Sequence, residues 1–160
     1  MAEQRTGADL LIVDNSDERW KVSAYLREWC EISKRFDIAT GHFEIGGMLA
    51  LGDAWEKVDE IRVLMGGTTS LRTKQAFEEA LGGLTETLDR SLETEKLTDS
   101  FLAGVPAIVE GIRRGQICCR VYRKGRFHAK AYITHARAEV VGAFALVGSS
   151  NLSGCDRGRR

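Results

Sequence analysis

Residues 117–149 read ICCRVYRKGRFHAKAYITHARAEVVGAFALVGS, and this stretch decides the fold class. ICCRVYR is rich in β-forming residues, and Lys124–Gly125 supplies a hairpin turn. RFHAKAYIT reads as the next strand. After the HARA connection, EVVGAFALVGS is apolar enough for a buried strand. Three strands in succession therefore close the sequence.

The chain before them alternates. DLLIVDN predicts a strand at Leu10–Val13. Asn15 then caps a helix, with Glu18 three residues on to complete a capping box. Val22, Tyr25, Leu26, Trp29 and Cys30 share one face of that helix, which is expected to end near Lys34. FDIATG predicts a second strand closed by Gly41. GGMLALGDAWEKV predicts a weak helix, diluted by Gly46, Gly47 and Gly52. EIRVLMGG predicts a third strand ending in its glycine pair. Thr69 or Ser70 caps a helix to about Leu81. Residues 86–114 predict one or two further helices, kinked or split at Pro106. Alternation followed by consecutive strands implies an α/β domain with a mixed β-sheet flanked by α-helices.

Composition is consistent with this. The 160 residues are 43% hydrophobic and 29% charged, with a single proline, which fits one soluble domain without a linker. No apolar stretch approaches the roughly 20 residues that span a membrane. MAEQRTGADL has no basic segment followed by an apolar one, so a cytoplasmic address is expected. Cys30, Cys118, Cys119 and Cys155 lack metal-ligand spacing and read as reduced thiols, with the adjacent pair on opposite faces of a strand.

The zero net charge hides an asymmetry. Residues 112–160 hold 11 Lys and Arg against 2 Asp and Glu, a net +9, which leaves 12 against 21 and a net −9 in the remainder. A basic last third points to a polyanion partner, or else the two parts neutralise each other within the fold.

The same stretch carries candidate chemistry. Side chains alternate across a strand, so His128, Lys130 and Tyr132 share one face. Phe127, Ala129, Ala131 and Ile133 share the other, expected to pack beneath helices. Neutral imidazole is a competent nucleophile. An ammonium two residues on stands about 7 Å along the same face, close enough to hold the same phosphate. Downstream, Gly148 opens a polar loop in which Ser149, Ser150 and Asn151 offer hydroxyl and amide groups. Together these are a nucleophile, a cation and neutral donors, as phosphoryl transfer requires.

FHAKAYI followed by ALVGSSNLS resembles the H-x-K … G-S-x-N signature of the phospholipase D superfamily. Upstream, LLIVDNSDERWKVSAYLREWCEISKRFDIATGHF, DEIRVLMG and FLAGVPAIVEGIRRGQICCRVYRKGRFHAKAYITHA are similar to the phospholipase D-like domain at the N-terminus of some bacterial superfamily 2 (Swi/Snf-type) helicases. The resemblance covers residues 10–153, with 1–9 a flexible N-terminus and 154–160 a disordered tail. It implies a phospholipase D-like fold and a phosphodiesterase that needs no metal or other cofactor. His128 matches the nucleophile that forms a phosphohistidine. Lys130 matches the phosphate-binding cation, and Ser149 and Asn151 the polar pair that positions phosphate and catalytic groups. Family enzymes use two such motifs. This chain has one, so the resemblance implies a homodimer in which the two His128 residues face each other, joined to a helicase domain.

Two departures matter. The longer family signature has an aspartate five residues after the lysine, where this chain has His135. Branches without it draw an orienting acid from the segment after G-S-x-N, but here LSGCDRGRR follows and the chain stops, so the domain reads as incomplete.

Other residues have plainer readings. His42 belongs to the surface or core, although it could line the same site. His135 is expected in a loop. Gly66–Thr69 lacks the lysine of a P-loop and reads as a strand-to-helix connection. Tyr122, Arg123 and Arg126, with Ser150, are nucleic-acid-binding candidates, through stacking and charge, beside the reading of a solvated hairpin. Trp20, Trp29 and Trp55 suit a core or a dimer interface. The leading expectation is a nuclease acting on nucleic acid, DNA before RNA. A catalytically silent nucleic-acid-binding domain that targets a helicase is the alternative. No amphipathic membrane-binding segment supports a lipid phospholipase.

Overall fold

The computed structural model describes residues 21–69, 73, 76, 77 and 104–149. The strand read at Leu10–Val13, the capping box of Asn15 and Glu18, Trp20, most of the helices read between 70 and 103, Ser150, Asn151 and Cys155 lie outside the described residues.

Helix α1 spans Val22–Ile32, and the five residues read as its apolar face are all buried. It stops two residues short of Lys34 because Ser33 passes directly into β1, Ser33–Phe43. The weak helix expected next is broken in two. A short α2, Ile45–Leu49, is followed by a 3-10 turn, Ala54–Lys57, with Gly52 between them at φ +64. Strand β2, Glu60–Thr69, does not stop at its glycine pair, so Gly66–Thr69 is strand rather than connection. Helix α3, Val105–Arg113, holds Pro106 in its first turn. The proline starts this helix instead of kinking a longer one, since its missing N–H has no partner to lose there. Strands β3, Ile117–Val121, β4, Lys130–Ala136, and β5, Ala143–Val147, complete the order.

The described strands form one mixed sheet in the order β3-β2-β1-β4-β5, an α/β architecture. β1, β2 and β3 run parallel, while β4 is antiparallel to β1 and to β5. One row of register partners crosses all five strands: Cys119, Val63, Ile38, Tyr132 and Leu146. This row faces the helices. Val63, Ile38 and Tyr132 are buried core residues, with Cys119 and Leu146 packed against them. Trp29 stacks on Phe144 of β5 with ring centroids 5.3 Å apart. Trp55 is also buried, as expected of a core tryptophan. Each such large side chain contributes roughly 1.5–3 kcal/mol by leaving water.

The topology corrects three expectations from the last third. β3 and β4 are separated by β2 and β1, so Lys124–Gly125 turns no hairpin. Residues 122–129 instead pass over the ends of β2 and β1. β4 begins at Lys130, not at Arg126. β5 pairs with β4 alone among the described residues and alternates between exposed and half-buried, so it is an edge strand rather than a buried one.

The faces are also reversed. Lys130, Tyr132, Thr134 and Ala136 of β4 point into the helix-covered side, while Ala131, Ile133 and His135 lie on the other. Alternation identifies which residues share a face. It does not say which face the helices cover, and here the larger Tyr132 fills the core. Cys118 and Cys119 do lie on opposite faces, the first exposed and the second half-buried. No helix among the described residues is long and apolar enough to cross a membrane.

Candidate functional site

The strand directions bring the candidate residues to one end of the sheet. The carboxyl ends of β1, β2, β3 and β5 and the start of β4 all lie there, the end at which open α/β sheets commonly bind ligands. The crossing segment is tied down by backbone bonds. The Tyr122 N–H donates to the Met65 carbonyl at 2.8 Å, and the Gly41 N–H donates to the Ala129 carbonyl at 2.8 Å.

Two glycines make room for this crossing. A Cβ on Gly41 would stand 2.8 Å from the Phe127 carbonyl oxygen, 3.1 Å from the His128 Cα and 3.4 Å from His128 Nδ1. A Cβ on Gly66 would overlap the Gly41 carbonyl, with the Phe127 carbonyl 3.4 Å away. The absence of side chains at both positions therefore sets how closely His128 rests on β1.

His128 is exposed on this segment, while Lys130 is only 7% exposed at the head of β4. The Lys130 Nζ lies 3.2 Å from His128 Nε2 and 3.4 Å from Nδ1. Near-equal distances put the ammonium over the face of the ring, because an equidistant atom in the ring plane would overlap Cε1. Such stacking leaves the in-plane lone pair of the imidazole pointing elsewhere. Among the described residues no carboxylate pairs with Lys130 and none hydrogen-bonds His128. A nearly buried ammonium with an imidazole and no acid beside it suits an arriving anion.

The Gly148 N–H donates to the Lys130 carbonyl at 3.0 Å, which anchors the start of the G-S-x-N loop beside the lysine. Ser149 follows, exposed. Ser150 and Asn151 lie outside the described residues. His128, Lys130 and the first half of the loop are thus gathered, although His128 and Lys130 do not share a regular strand face.

The other nucleic-acid candidates lie on the same segment. Tyr122, Arg123 and Arg126 are exposed, as is Lys124. Tyr122 and Phe127 approach with ring centroids 5.1 Å apart. Arg123, Lys124 and Arg126 have no carboxylate partner among the described residues. Elsewhere the halves of the chain do neutralise each other. Arg137 of the last third pairs with Asp59 at 2.9 Å. Among the described residues, the basic side chains of the crossing segment are left without acidic partners.

His135, at the position of the family aspartate, lies in β4 rather than in a loop. It points away from Lys130 toward Asp37. Arg62 donates two bonds to Asp37, at 2.6 and 2.7 Å, and the Arg35 Nε lies 3.7 Å from it. Burial raises the Asp37 pKa, but the hydrogen bonds from Arg62 and His135 and the charges of Arg62 and Arg35 outweigh this. The carboxyl is held below its usual range. Asp37 stands four residues before Gly41 on β1 and pairs on the face away from Lys130, so it does not orient His128.

A second constellation was missed by reading the sequence alone. His42 Nε2 lies 2.6 Å from Glu44 Oε1. The Thr73 hydroxyl donates to Glu44 Oε2 at 3.1 Å and accepts the Ile45 N–H at 3.1 Å. The H-x-E spacing was its one signal, with His42 in the last residues of β1 and Glu44 just past its end. Thr73 could not be linked to it without the fold. Among the described residues no group of three or more His, Cys, Asp and Glu could hold a metal ion.

No protein-family model matches the chain, and no curated protein matches it.

Proposed function

We propose that the chain is a phospholipase D-like domain acting as a metal-independent phosphodiesterase on nucleic acid, DNA more than RNA. His128 is the nucleophile and Lys130 the phosphate-binding cation. Ser149 and Asn151 hold the phosphate oxygens. Tyr122, Arg123, Arg126 and Ser150 receive the flanking strand. The protein works as a homodimer and accompanies a helicase domain.

One observation carries this reading: the nearly buried Lys130 ammonium stacked on the His128 ring without a carboxylate among the described residues. A site already neutralised by an acid would gain little from phosphate. Arg123, Lys124 and Arg126, without a carboxylate partner among the described residues, extend positive charge along the crossing segment, which suits a polyanion over a small phosphodiester. The test is chemical trapping with an end-labelled oligonucleotide. An acid-labile, alkali-stable label is expected on the parent and absent from His128→Ala. Cleavage that survives His128→Ala would sink the reading.

The absence of an orienting carboxylate beside His128 among the described residues favours a second reading, a catalytically silent domain that grips nucleic acid. Salt-dependent binding without a trapped label on any oligonucleotide would select it.

A further inference from the structure

Residues 122–127 form a loop that is held at both ends and closed by an aromatic pair. The Tyr122 N–H donates to the Met65 carbonyl at 2.8 Å, which carries the pairing of β3 with β2 one residue past the strand. The Phe127 carbonyl rests over the two glycines, so close that a Cβ on Gly41 would meet it at 2.8 Å. The Tyr122 and Phe127 rings then approach from the two ends of the loop, with centroids 5.1 Å apart and planes inclined by 32°. Arg123, Lys124 and Arg126 lie between them, exposed and without a carboxylate partner among the described residues.

Tyr122 keeps 37% of its surface exposed, while Phe127 is half-buried. Rings inclined by 32° meet nearer face to face than edge on. Phe127 therefore braces one side of Tyr122, and the exposed area lies away from that contact. Phe127 is also bonded to His128. The aromatic pair thus joins the cationic loop to the candidate nucleophile.

Cations alone do not select a single strand. A duplex carries the denser charge, one phosphate per about 1.7 Å of axis, so Arg123, Lys124 and Arg126 by themselves favour it. An aromatic ring selects differently. Every base has a face that can stack on it, but within a duplex both faces are taken by the neighbouring pairs. Only an unpaired base can rest on Tyr122.

We propose that Tyr122, braced by Phe127, is a stacking platform for an unpaired base, and that it restricts the site to single-stranded nucleic acid. This rests on the nucleic-acid reading above and not on its catalytic step. The backbone of the bound strand follows Arg123, Lys124 and Arg126, while the base on Tyr122 seats the strand beside His128. Selection is for strand state rather than sequence, since all four bases stack. A duplex meets the same cations but offers the ring no face, so it binds through charge alone.

The test measures binding by fluorescence anisotropy. A single-stranded oligonucleotide is compared with a duplex of the same sequence closed by a hairpin at each end. The parent is expected to prefer the single strand by about tenfold or more. Tyr122→Leu keeps an apolar side chain against Phe127 and removes the π face. It is expected to lose about tenfold on the single strand and nothing on the duplex, which erases the preference. Tyr122→Trp is expected to retain it. An abasic site moved along the oligonucleotide gives a readout that packing alone would not move. Parent affinity is expected to fall at the stacked position, where Tyr122→Leu shows no further loss. Equal parental affinity for the two forms overturns the inference while leaving the nucleic-acid reading intact. So does a Tyr122→Leu protein weakened on both forms alike, which would make the ring a packing group. A parent that binds neither form overturns the reading beneath it as well.

Discussion

Gly41 and His128 are in direct contact: a methyl group on Gly41 would stand 3.1 Å from the His128 Cα and 2.8 Å from the carbonyl before it. Both neighbours are backbone atoms and cannot rotate away. Gly41→Ala is therefore expected to lift the crossing segment from β1, at a cost of roughly 1–3 kcal/mol. His128-dependent labelling should fall more than stability does, because the site depends on that approach. Denaturant unfolding beside trapping kinetics measures both. An alanine variant with parental labelling and stability would refute the contact.

Lys130 lies over the His128 ring rather than in its plane, so it serves as a fixed charge. Lys130→Met keeps the stem that lies against the core and removes the cation. Activity on an oligonucleotide is expected to drop by about 10²–10³-fold, as for loss of one electrostatic contact to the transition state. The unfolding midpoint should not fall, because the variant no longer buries an ammonium. A strong loss of stability would assign Lys130 a structural task instead.

Arg123 and Arg126, exposed and without a carboxylate partner among the described residues, predict a salt signature. Replacing either by alanine should weaken binding to single-stranded oligonucleotides of any sequence. Each change should reduce the slope of log affinity against log salt by about 1. The measurement is fluorescence anisotropy across a salt series. An unchanged slope would remove these residues from the interface.

Asp37 has its pKa lowered in the folded state, where Arg62 and His135 hold the charged form. Such a group adds stability above its unfolded pKa of about 3.9, and that stability is lost as pH falls through the lower folded value. Asp37→Asn should therefore lower the melting temperature at pH 7, with the gap between the two curves shrinking as pH falls below the unfolded value. A gap that stays constant through acid titration would indicate a packing defect rather than lost charge.

Burial pushes the thiols of Cys30 and Cys119 up to about 12. Cys118 is exposed on the opposite face. Iodoacetamide at pH 8 is expected to modify Cys118 well before Cys30 and Cys119 in the folded protein, by peptide mass mapping. Equal rates at all three would contradict the strand faces.

Much of the element order was legible in the sequence because local rules decide it. The apolar stripe from Val22 to Cys30 had one helical solution, and all five residues are buried. The FDIATG and EIRVLMGG strands are likewise present as β1 and β2. Connections were less legible. A Lys-Gly pair between apolar runs fits a hairpin, yet here it sits in a crossing over two strands that belong to another part of the chain. The candidate site was partly legible. His128 and Lys130 do meet, but with His128 on the crossing segment rather than on a shared strand face, while the Thr73 support of Glu44 joins residues 29 apart.

By itself the sequence determined which residues could do chemistry and which alternate along a strand. Imidazole, ammonium and hydroxyl groups carry their reactivity wherever they stand, and backbone geometry enforces a period of two. The tertiary structure decided which face of β4 is covered and where the chain crosses. It also decided what each histidine meets. Those outcomes follow from helices packing against the larger Tyr132, and from two glycines allowing backbone to pass over backbone. No neighbouring residue encodes either.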